Sequence, residues 1–127
     1  MADEATFTQL KDKVVEVRHY IHQHPELSDQ EFETTKYITN YLTKLGYRII
    51  TPEKLNTGVI AEIGQGKPVV GLRSDIDALP IKEATGLPYA SVNDGVMHAC
   101  GHDFHITSLL GAAEVLAQEK DSLKGTI

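Results

Sequence analysis

The chain has 127 residues, the size of one domain, and 12 Lys and Arg against 18 Asp and Glu give it a net charge of −6. Hydrophobic residues form 41% and charged residues 24% of the chain, a balance typical of folded proteins rather than disordered ones. The acidic charge argues against a nucleic-acid partner, and no apolar run is long enough to span a bilayer.

The N-terminus and the cysteine content bear on the compartment. The first residues are acidic and lack the hydrophobic region of a signal peptide. Cys100 is the only cysteine, so no internal disulfide can form. Together these features favour a protein of the reducing cytoplasm.

Two amphipathic helices are predicted at the start of the chain. Residues 5–22 carry an apolar stripe at helical spacing, and Pro25 ends this segment. A second helix is predicted to begin at Ser28, which forms a capping-box pattern with Glu31. Gly46 then occupies a position where helices commonly end in a left-handed conformation.

The pattern then changes from a helical to a strand period. Residues 47–50 are a short β-prone run, and residues 59–63 are a strand candidate. Residues 69–72 follow after a short loop with Gly and Pro, which predicts a hairpin with residues 59–63. Because residues 69–72 show no polar alternation, we expect them to form a central strand with both faces covered.

The remaining chain is predicted to contain long connections and one helix. Residues 74–101 read as irregular, with one short strand at 89–92, and a helix is predicted from about 105 to 118. Residues 124–127 look like a turn entering a strand. The order of elements predicts an α/β fold, a layered domain with a mixed β-sheet flanked by helices.

Two aspartates follow the predicted strand at residues 69–72. In open α/β sheets, ligands bind beyond the carboxyl ends of strands. If the backbone stays extended, Asp75 and Asp77 point to the same side, as a binding site would require. In the alternative interpretation, the two carboxylates stabilise a turn and pair with Arg73.

Histidine, cysteine and aspartate are concentrated in residues 98–105. Cys100 and His102 are two positions apart, so an extended backbone can direct both towards one borderline metal ion such as Zn²⁺. Asp103 and His105 lie near the start of the predicted helix, where a carboxylate is favoured and can orient an imidazole. Two ligands do not complete a site, because a tetrahedral ion takes three or four ligands.

Two other interpretations of Cys100 remain open. The thiol could act as a nucleophile with His102 as its base, although the two residues are close in sequence and the backbone would have to fold back. Alternatively, Cys100 is a small buried cysteine packed behind the helix.

A third group of histidines comprises His19, His22 and His24. These residues fall near the predicted end of the first helix, where imidazoles interact favourably with the helix dipole. Their spacing alone assigns no chemistry to them.

Four segments occur in a characteristic order along nearly the whole chain. They are HQHPELS at 22–28, TGVIA at 57–61, LRSDIDALPI at 72–81 and MHACGHDFH at 97–105. This series resembles the N-terminal part of the M20 family of metallopeptidases. Within that family, it resembles the amidohydrolase branch that includes N-acyl-amino-acid deacylases, N-acetyldiaminopimelate deacetylase, hippurate hydrolase and auxin-conjugate hydrolases.

The resemblance implies a zinc-exopeptidase-like catalytic domain that cleaves the amide of small N-acyl amino acids or related peptide-like conjugates. It implies that Cys100 and His102 are metal ligands in a site that usually holds two divalent ions, with Zn²⁺, Mn²⁺, Co²⁺ and Ni²⁺ left open. Asp75 matches the aspartate beside the metal centre. Arg73 replaces a metal-binding histidine of other M20 branches and is not a ligand. Asp77 is assigned to structural support.

The resemblance also implies that residues 1–127 are the N-terminal part of a catalytic domain, without the dimerisation or lid domain. In the family, the catalytic base is a glutamate of a Glu-Glu pair that follows the next strand, and this chain ends at Ile127 on the way into that strand. We therefore expect this chain to have little or no activity alone. We also expect it to self-associate through an exposed sheet edge.

Two functions of other classes compete with the amidohydrolase. A non-catalytic metal-binding or interaction module would bind metal or a partner without turnover. A thiol hydrolase using Cys100 would lose its activity on alkylation but keep it with chelators, the opposite of a metal enzyme.

Overall fold

A computed structural model describes residues 2–127 of the chain. The structure confirms a layered α/β arrangement in which helices pack with a small sheet. Strands β1 and β2 are antiparallel, and isolated parallel and antiparallel bridges extend the pairing. No helix in residues 2–127 has the length and hydropathy needed to cross a membrane. The elements are α1 (Glu4–Gln23), α2 (Phe32–Lys44), β1 (Arg48–Ile49), β2 (Ala61–Glu62), α3 (His102–Gln118) and a 3₁₀ turn (Lys120–Ser122).

The core lies where α1 and α3 pack together. Its buried cluster contains Val17 and Ile21 of α1, Ile38 of α2, and Ile106 and Leu110 of α3. The predicted first helix is therefore confirmed, because its apolar stripe is the face that α3 covers. A glycine of α3 allows this close approach. A Cβ at Gly111 would lie 3.2 Å from Cγ1 of Val14.

The start of the second helix differs from the prediction. The helix begins at Phe32, and Ser28 is not its N-cap. The capping contact comes instead from the carboxylate of Glu26, which accepts a hydrogen bond from the Thr34 N–H at 2.6 Å. A carboxylate satisfies the free N–H groups of a first turn and also interacts favourably with the helix dipole. At the other end, Gly46 has a φ of +92°, as predicted.

The strand pairing also differs. Strands β1 and β2 lie inside the predicted segments 47–50 and 59–63, but they pair with each other, so the hairpin with residues 69–72 is wrong. Residues 69–72 form no strand, and Val69 is 69% exposed. The N–H of Val70 donates to the carbonyl of Thr126 at 2.9 Å. The apolar residues at 69–72 predicted a buried strand, but no helix or strand of the described residues packs over them.

Residues 124–127 return to pair with two earlier segments. Thr126 forms an antiparallel bridge with Gly64 and a parallel bridge with Val69. Ile127 and Ile63 exchange backbone hydrogen bonds at 2.9 and 3.0 Å. The predicted strand is therefore realised as isolated bridges, which place Thr126 between Gly64 on one side and Val69 on the other.

The irregular connection over residues 74–101 is confirmed, except for its proposed short strand. Residues 89–92 contain part of a turn, in which the N–H of Ala90 donates to the carbonyl of Leu87 at 3.0 Å. Helix α3 begins at His102, earlier than the predicted residue 105. The left-handed Gly101, with a φ of +96°, turns the chain directly into the helix.

A half-buried phenol, that of Tyr47, predicts alkaline sensitivity. Tyr47 donates to the carbonyl of Ala113 at 2.9 Å, and burial, with the charge of Glu114, raises the pKa of Tyr47 to about 12. A raised pKa stabilises the neutral form, so its contribution is complete below pH 10 and is lost as the pH rises through 12. We expect the free energy of unfolding of Tyr47→Phe to fall less steeply than that of the parent between pH 10 and 12, as measured by denaturation at each pH. The exposed control Tyr20→Phe should keep the parental slope, and equal slopes for both variants would contradict the prediction.

Candidate metal centre

His102 is held in one orientation by Asp77. Its Nδ1 lies 2.9 Å from the Asp77 carboxylate Oδ1 and 2.9 Å from the Asp77 main-chain oxygen. Because a carbonyl and a carboxylate both accept, Nδ1 carries the proton and donates. The other nitrogen, Nε2, is therefore the one available to a ligand. This is how an outer carboxylate fixes the tautomer of a metal-binding histidine.

Backbone pairing fixes Asp77 at this place. The N–H of the next residue, Ala78, donates to the carbonyl of Glu26 at 2.8 Å. Leu79 and Met97 exchange backbone hydrogen bonds at 2.9 and 3.0 Å. Segments from three of the motifs therefore meet in one layer, although they are far apart in the sequence.

Asp75 combines the two interpretations offered for it. Its Oδ1 pairs with Arg73 at 2.8 Å, as the turn interpretation predicted. Its Oδ2 lies 3.9 Å from Nε2 of His102, so Asp75 and Asp77 face the same imidazole. The Arg73 side chain is 86% exposed, and exposed ion pairs of this kind contribute little stability. The Arg73–Asp75 ion pair involves only Oδ1 of Asp75, so Oδ2 remains close to Nε2 of His102.

Cys100 and His105 both lie at the surface. Cys100 makes no hydrogen bond to any described residue, so a thiol–imidazole pair with His102 is not formed. The ring of His105 is exposed, with its centroid 5.6 Å from that of His102. Among residues 2–127, no three His, Cys, Asp or Glu side chains lie close enough together to hold a metal ion.

The chemistry of the donors nevertheless fits a borderline divalent ion. Cys100 offers a thiolate, and His102 offers an imidazole nitrogen whose partner atom is already held by Asp77. Both donor types suit Zn²⁺ and its first-row neighbours. Two such donors leave further coordination positions to be supplied by other groups.

His98 is a buried histidine without partners. It is 4% exposed, and neither ring nitrogen has a hydrogen-bond partner among the described residues. Burial lowers the pKa of His98 to about 4, against a partial opposing effect of the Asp103 charge, so its ring is neutral near pH 7. Most buried polar atoms in proteins are paired. These two nitrogens are therefore available to a group that the described residues do not supply.

A second buried group surrounds His22. Its Nδ1 lies 2.7 Å from Oδ2 of Asp103, and its Nε2 lies 3.0 Å from Oε1 of Glu83. Arg18 adds a hydrogen bond from Nε to the same Asp103 oxygen at 3.1 Å. His22 and Asp103 are each 1% exposed. The carboxylate of Asp103 thus orients an imidazole, but that imidazole belongs to His22 rather than to a residue of the 98–105 cluster.

The helix-end interpretation of the histidines holds only in part. His24 is close to the end of α1, and its Nδ1 donates to the carbonyl of Tyr20 at 2.8 Å. His19 stacks on Tyr89 with ring centroids 3.7 Å apart. For His22, the dominant contacts are the two carboxylates, which the interpretation from the helix dipole missed.

Glu83, which lies in the irregular connection at residues 74–101, is the remaining member of the buried group around His22. Burial alone would raise the pKa of Glu83. Hydrogen bonds from the Thr85 hydroxyl, the Ser91 N–H and His22 outweigh burial and hold the pKa below its ordinary value. The group therefore contains an ionised carboxylate at neutral pH.

Comparison with known proteins places these contacts in a family context. The family model for peptidase family M20/M25/M40 matches residues 71–127. The chain is 51% identical to N-acetyl-L-cysteine deacetylase of Bacillus subtilis (strain 168), over 99% of this chain and 30% of that protein. It is 45% identical to N-acetyldiaminopimelate deacetylase of Limosilactobacillus fermentum, over 88% of this chain and 31% of that protein.

A solved structure agrees with both findings. The chain matches the YXEP protein of Bacillus subtilis, described as a dinuclear metal binding peptidase from the M20 family, with a TM-score of 0.87 and 50% identity. The match covers 98% of this chain and 34% of that one. The chain thus spans about a third of the length of the relatives that it matches.

Proposed function

This chain belongs to the M20 family of metallopeptidases, and from that premise we propose that it supplies part of the active site of a metal-dependent amidohydrolase. Residues 1–127 are the N-terminal part of the catalytic domain in this proposal. Its metal ligands are Cys100 and His102. The observation that carries the proposal is the Asp77–His102 contact, which leaves Nε2 of His102 available to a ligand two residues after Cys100.

The proposed substrates are small N-acyl amino acids. The names of two relatives, N-acetyl-L-cysteine deacetylase and N-acetyldiaminopimelate deacetylase, describe removal of an acetyl group from an amino acid or a close derivative. A relative of similar identity, at 43%, is named thermostable carboxypeptidase 1 of Saccharolobus solfataricus. All three names are consistent with cleavage of a C–N bond next to a carbonyl group, and we propose this reaction class for the complete protein.

The residues of this chain have limited and distinct parts in that reaction. A bound divalent ion would lower the pKa of a water molecule and polarise the substrate carbonyl. Asp77 keeps the proton of His102 on Nδ1, so that Nε2 stays free to bind. Asp75 places negative charge 3.9 Å from that nitrogen.

We propose that the general base is none of the carboxylates of Asp75, Asp77 and Glu83. Asp75 is paired with Arg73, and Asp77 already accepts a hydrogen bond from His102. Glu83 is 4% exposed in its side chain and is bound by three partners. A base must be free to accept a proton from the attacking water. The chain alone is therefore expected to turn over little substrate.

The decisive experiment is a metal-binding measurement. The parent chain and the Cys100→Ser/His102→Ala variant, purified without chelators, are offered Zn²⁺, Mn²⁺, Co²⁺ and Ni²⁺, and bound metal is quantified by elemental analysis. We expect the parent to retain metal and the double variant to lose it, because both donors are gone. A His24→Ala control, which changes a histidine bonded to the backbone of α1, should bind as the parent does.

Two outcomes would contradict the proposal. Binding by the double variant at the parental level would show that Cys100 and His102 are not the ligands. Failure of the parent to bind any of the four ions would show that these donors form no metal centre in this chain. Assays with N-acetyl-L-cysteine on the same samples would test the expected low turnover.

A further inference from the structure

We propose that His22 positions the metal-binding turn at residues 100–102 through its hydrogen bond to Asp103. This inference rests on the proposed metal site, but it concerns a residue that lies outside that site. His22 belongs to α1, whereas the proposed ligands lie at and just before the start of α3. The link between them is a buried contact of 2.7 Å.

His22 is a rigid anchor because both of its ring nitrogens are engaged. Nδ1 contacts the carboxylate of Asp103, and Nε2 contacts the carboxylate of Glu83 at 3.0 Å. An ionised carboxylate only accepts hydrogen bonds, so both nitrogens donate when both contacts form. The ring lies between the two carboxylates, and it is 1% exposed. Neither rotation of the ring nor access of water is available without breaking these bonds.

Asp103 transmits this restraint to His102. Its Oδ2 accepts from His22 and Arg18, and its Oδ1 accepts from the N–H of Phe104 at 3.0 Å. Consecutive residues of an α-helix point about 100° apart around the helix axis. Holding Asp103 towards α1 therefore fixes the direction in which His102 leaves the first turn. That direction brings Nδ1 of His102 to its 2.9 Å contact with Asp77.

The charges of the buried group support a fixed arrangement. The Arg18 guanidinium and the His22 ring face the carboxylates of Asp103 and Glu83, so each carboxylate has a partner in the protein interior. Glu83 is itself tied to the irregular connection, because its Oε1 accepts from the N–H of Ser91 at 2.9 Å. The two nitrogens of His22 therefore have separable roles. Nδ1 holds the start of α3, and Nε2 holds the loop.

Two substitutions separate those roles. His22→Asn places an amide N–H near the position of Nδ1, and His22→Gln places one near the position of Nε2. We expect His22→Gln to weaken Co²⁺ binding by about 10-fold to 100-fold, the usual effect of losing an outer-shell partner. We expect His22→Asn to keep an affinity close to that of the parent. Titration of the cobalt–thiolate absorption measures both.

A matched control removes a part-buried hydrogen bond elsewhere on α3. Tyr41 donates to Glu114 at 2.7 Å, far from the start of the helix, so Tyr41→Phe should lower stability but leave Co²⁺ affinity unchanged. Circular dichroism confirms that each variant is folded. Parental affinity in both His22 variants, or an equal loss in His22→Asn, His22→Gln and Tyr41→Phe, would overturn the positioning role.

A metal-free readout distinguishes this inference from the proposed function. The ¹⁵N shifts of His102 report whether Nδ1 carries the proton, and we expect that signature in the parent and in His22→Asn but not in His22→Gln. If the parent binds no Co²⁺ yet shows this difference, the metal site is refuted and the positioning role stands. If the three chains share one His102 tautomer, the positioning role is refuted whatever the metal result.

Discussion

Asp103→Ala should lower the free energy of unfolding by about 3 to 5 kcal/mol, the cost of leaving a buried charge without its partner. The carboxylate is 1% exposed and accepts hydrogen bonds from His22 and Arg18. Removing it takes away the carboxylate oxygen that both the Arg18 guanidinium and the His22 ring contact in the protein interior. Since small domains are stable by only about 5–15 kcal/mol, the variant should unfold at much lower urea concentration.

A surface aspartate provides the matched comparison. Asp94 pairs with Lys82 at 3.5 Å, and its side chain is 86% exposed. Asp94→Ala should therefore change the free energy of unfolding by no more than about 1 kcal/mol. Urea denaturation of both variants beside the parent measures the contrast. Similar small losses in both would show that the Asp103 group is not a buried ionic cluster in solution.

Helix periodicity was the most informative signal in the sequence. The stripe in residues 5–22 reports burial against one partner, and Val17 and Ile21 do lie in the core against α3. A helix closes its hydrogen bonds locally, so its position follows from nearby residues. The exact start was less predictable. Glu26, which lies outside the helix, supplies the cap that the Ser28 pattern appeared to supply.

Strand pairing could not be predicted in the same way. Residues 69–72 are apolar, but a strand is defined by partners that can lie anywhere in the chain. Here the partner of Val70 is Thr126. The local composition contains no information about that distant residue. From composition alone, residues 69–72 were predicted to form a hairpin and a covered central strand. In the structure they are an exposed segment that forms only isolated bridges.

The sequence identified the residues of the candidate site but not the hydrogen bonds that join them. The cluster at 98–105 identified Cys100 and His102, and the pattern after residue 72 identified Asp77. The contacts of His22 join residues that are 61 and 81 positions away along the chain. One signal was present in the sequence, because Arg18 and His22 are four residues apart beside the apolar stripe of α1. A guanidinium and an imidazole at the edge of a buried face require hydrogen-bond partners.

Asp77→Asn should weaken metal binding by about 10-fold, near the lower end of the range for residues that orient a metal ligand. The substitution removes the charge from the group that accepts the Nδ1 proton of His102 at 2.9 Å. It does not remove the second acceptor, because the main-chain oxygen of Asp77 also lies 2.9 Å from Nδ1. The tautomer of His102 is therefore retained, while the imidazole becomes a weaker donor to the ion. Competition against a chromophoric chelator measures the affinity.

The size of the loss decides between three roles for Asp77. Asp12→Asn, an exposed carboxylate on α1, should keep the parental affinity and serves as the control. An Asp77→Asn affinity equal to that of the Asp12→Asn control would show that the carboxylate does not act on His102. A loss as large as that of His102→Ala would show that Asp77 binds the ion itself. Only an intermediate loss fits an aspartate that acts through the imidazole, because such a residue alters the strength of a ligand without replacing it.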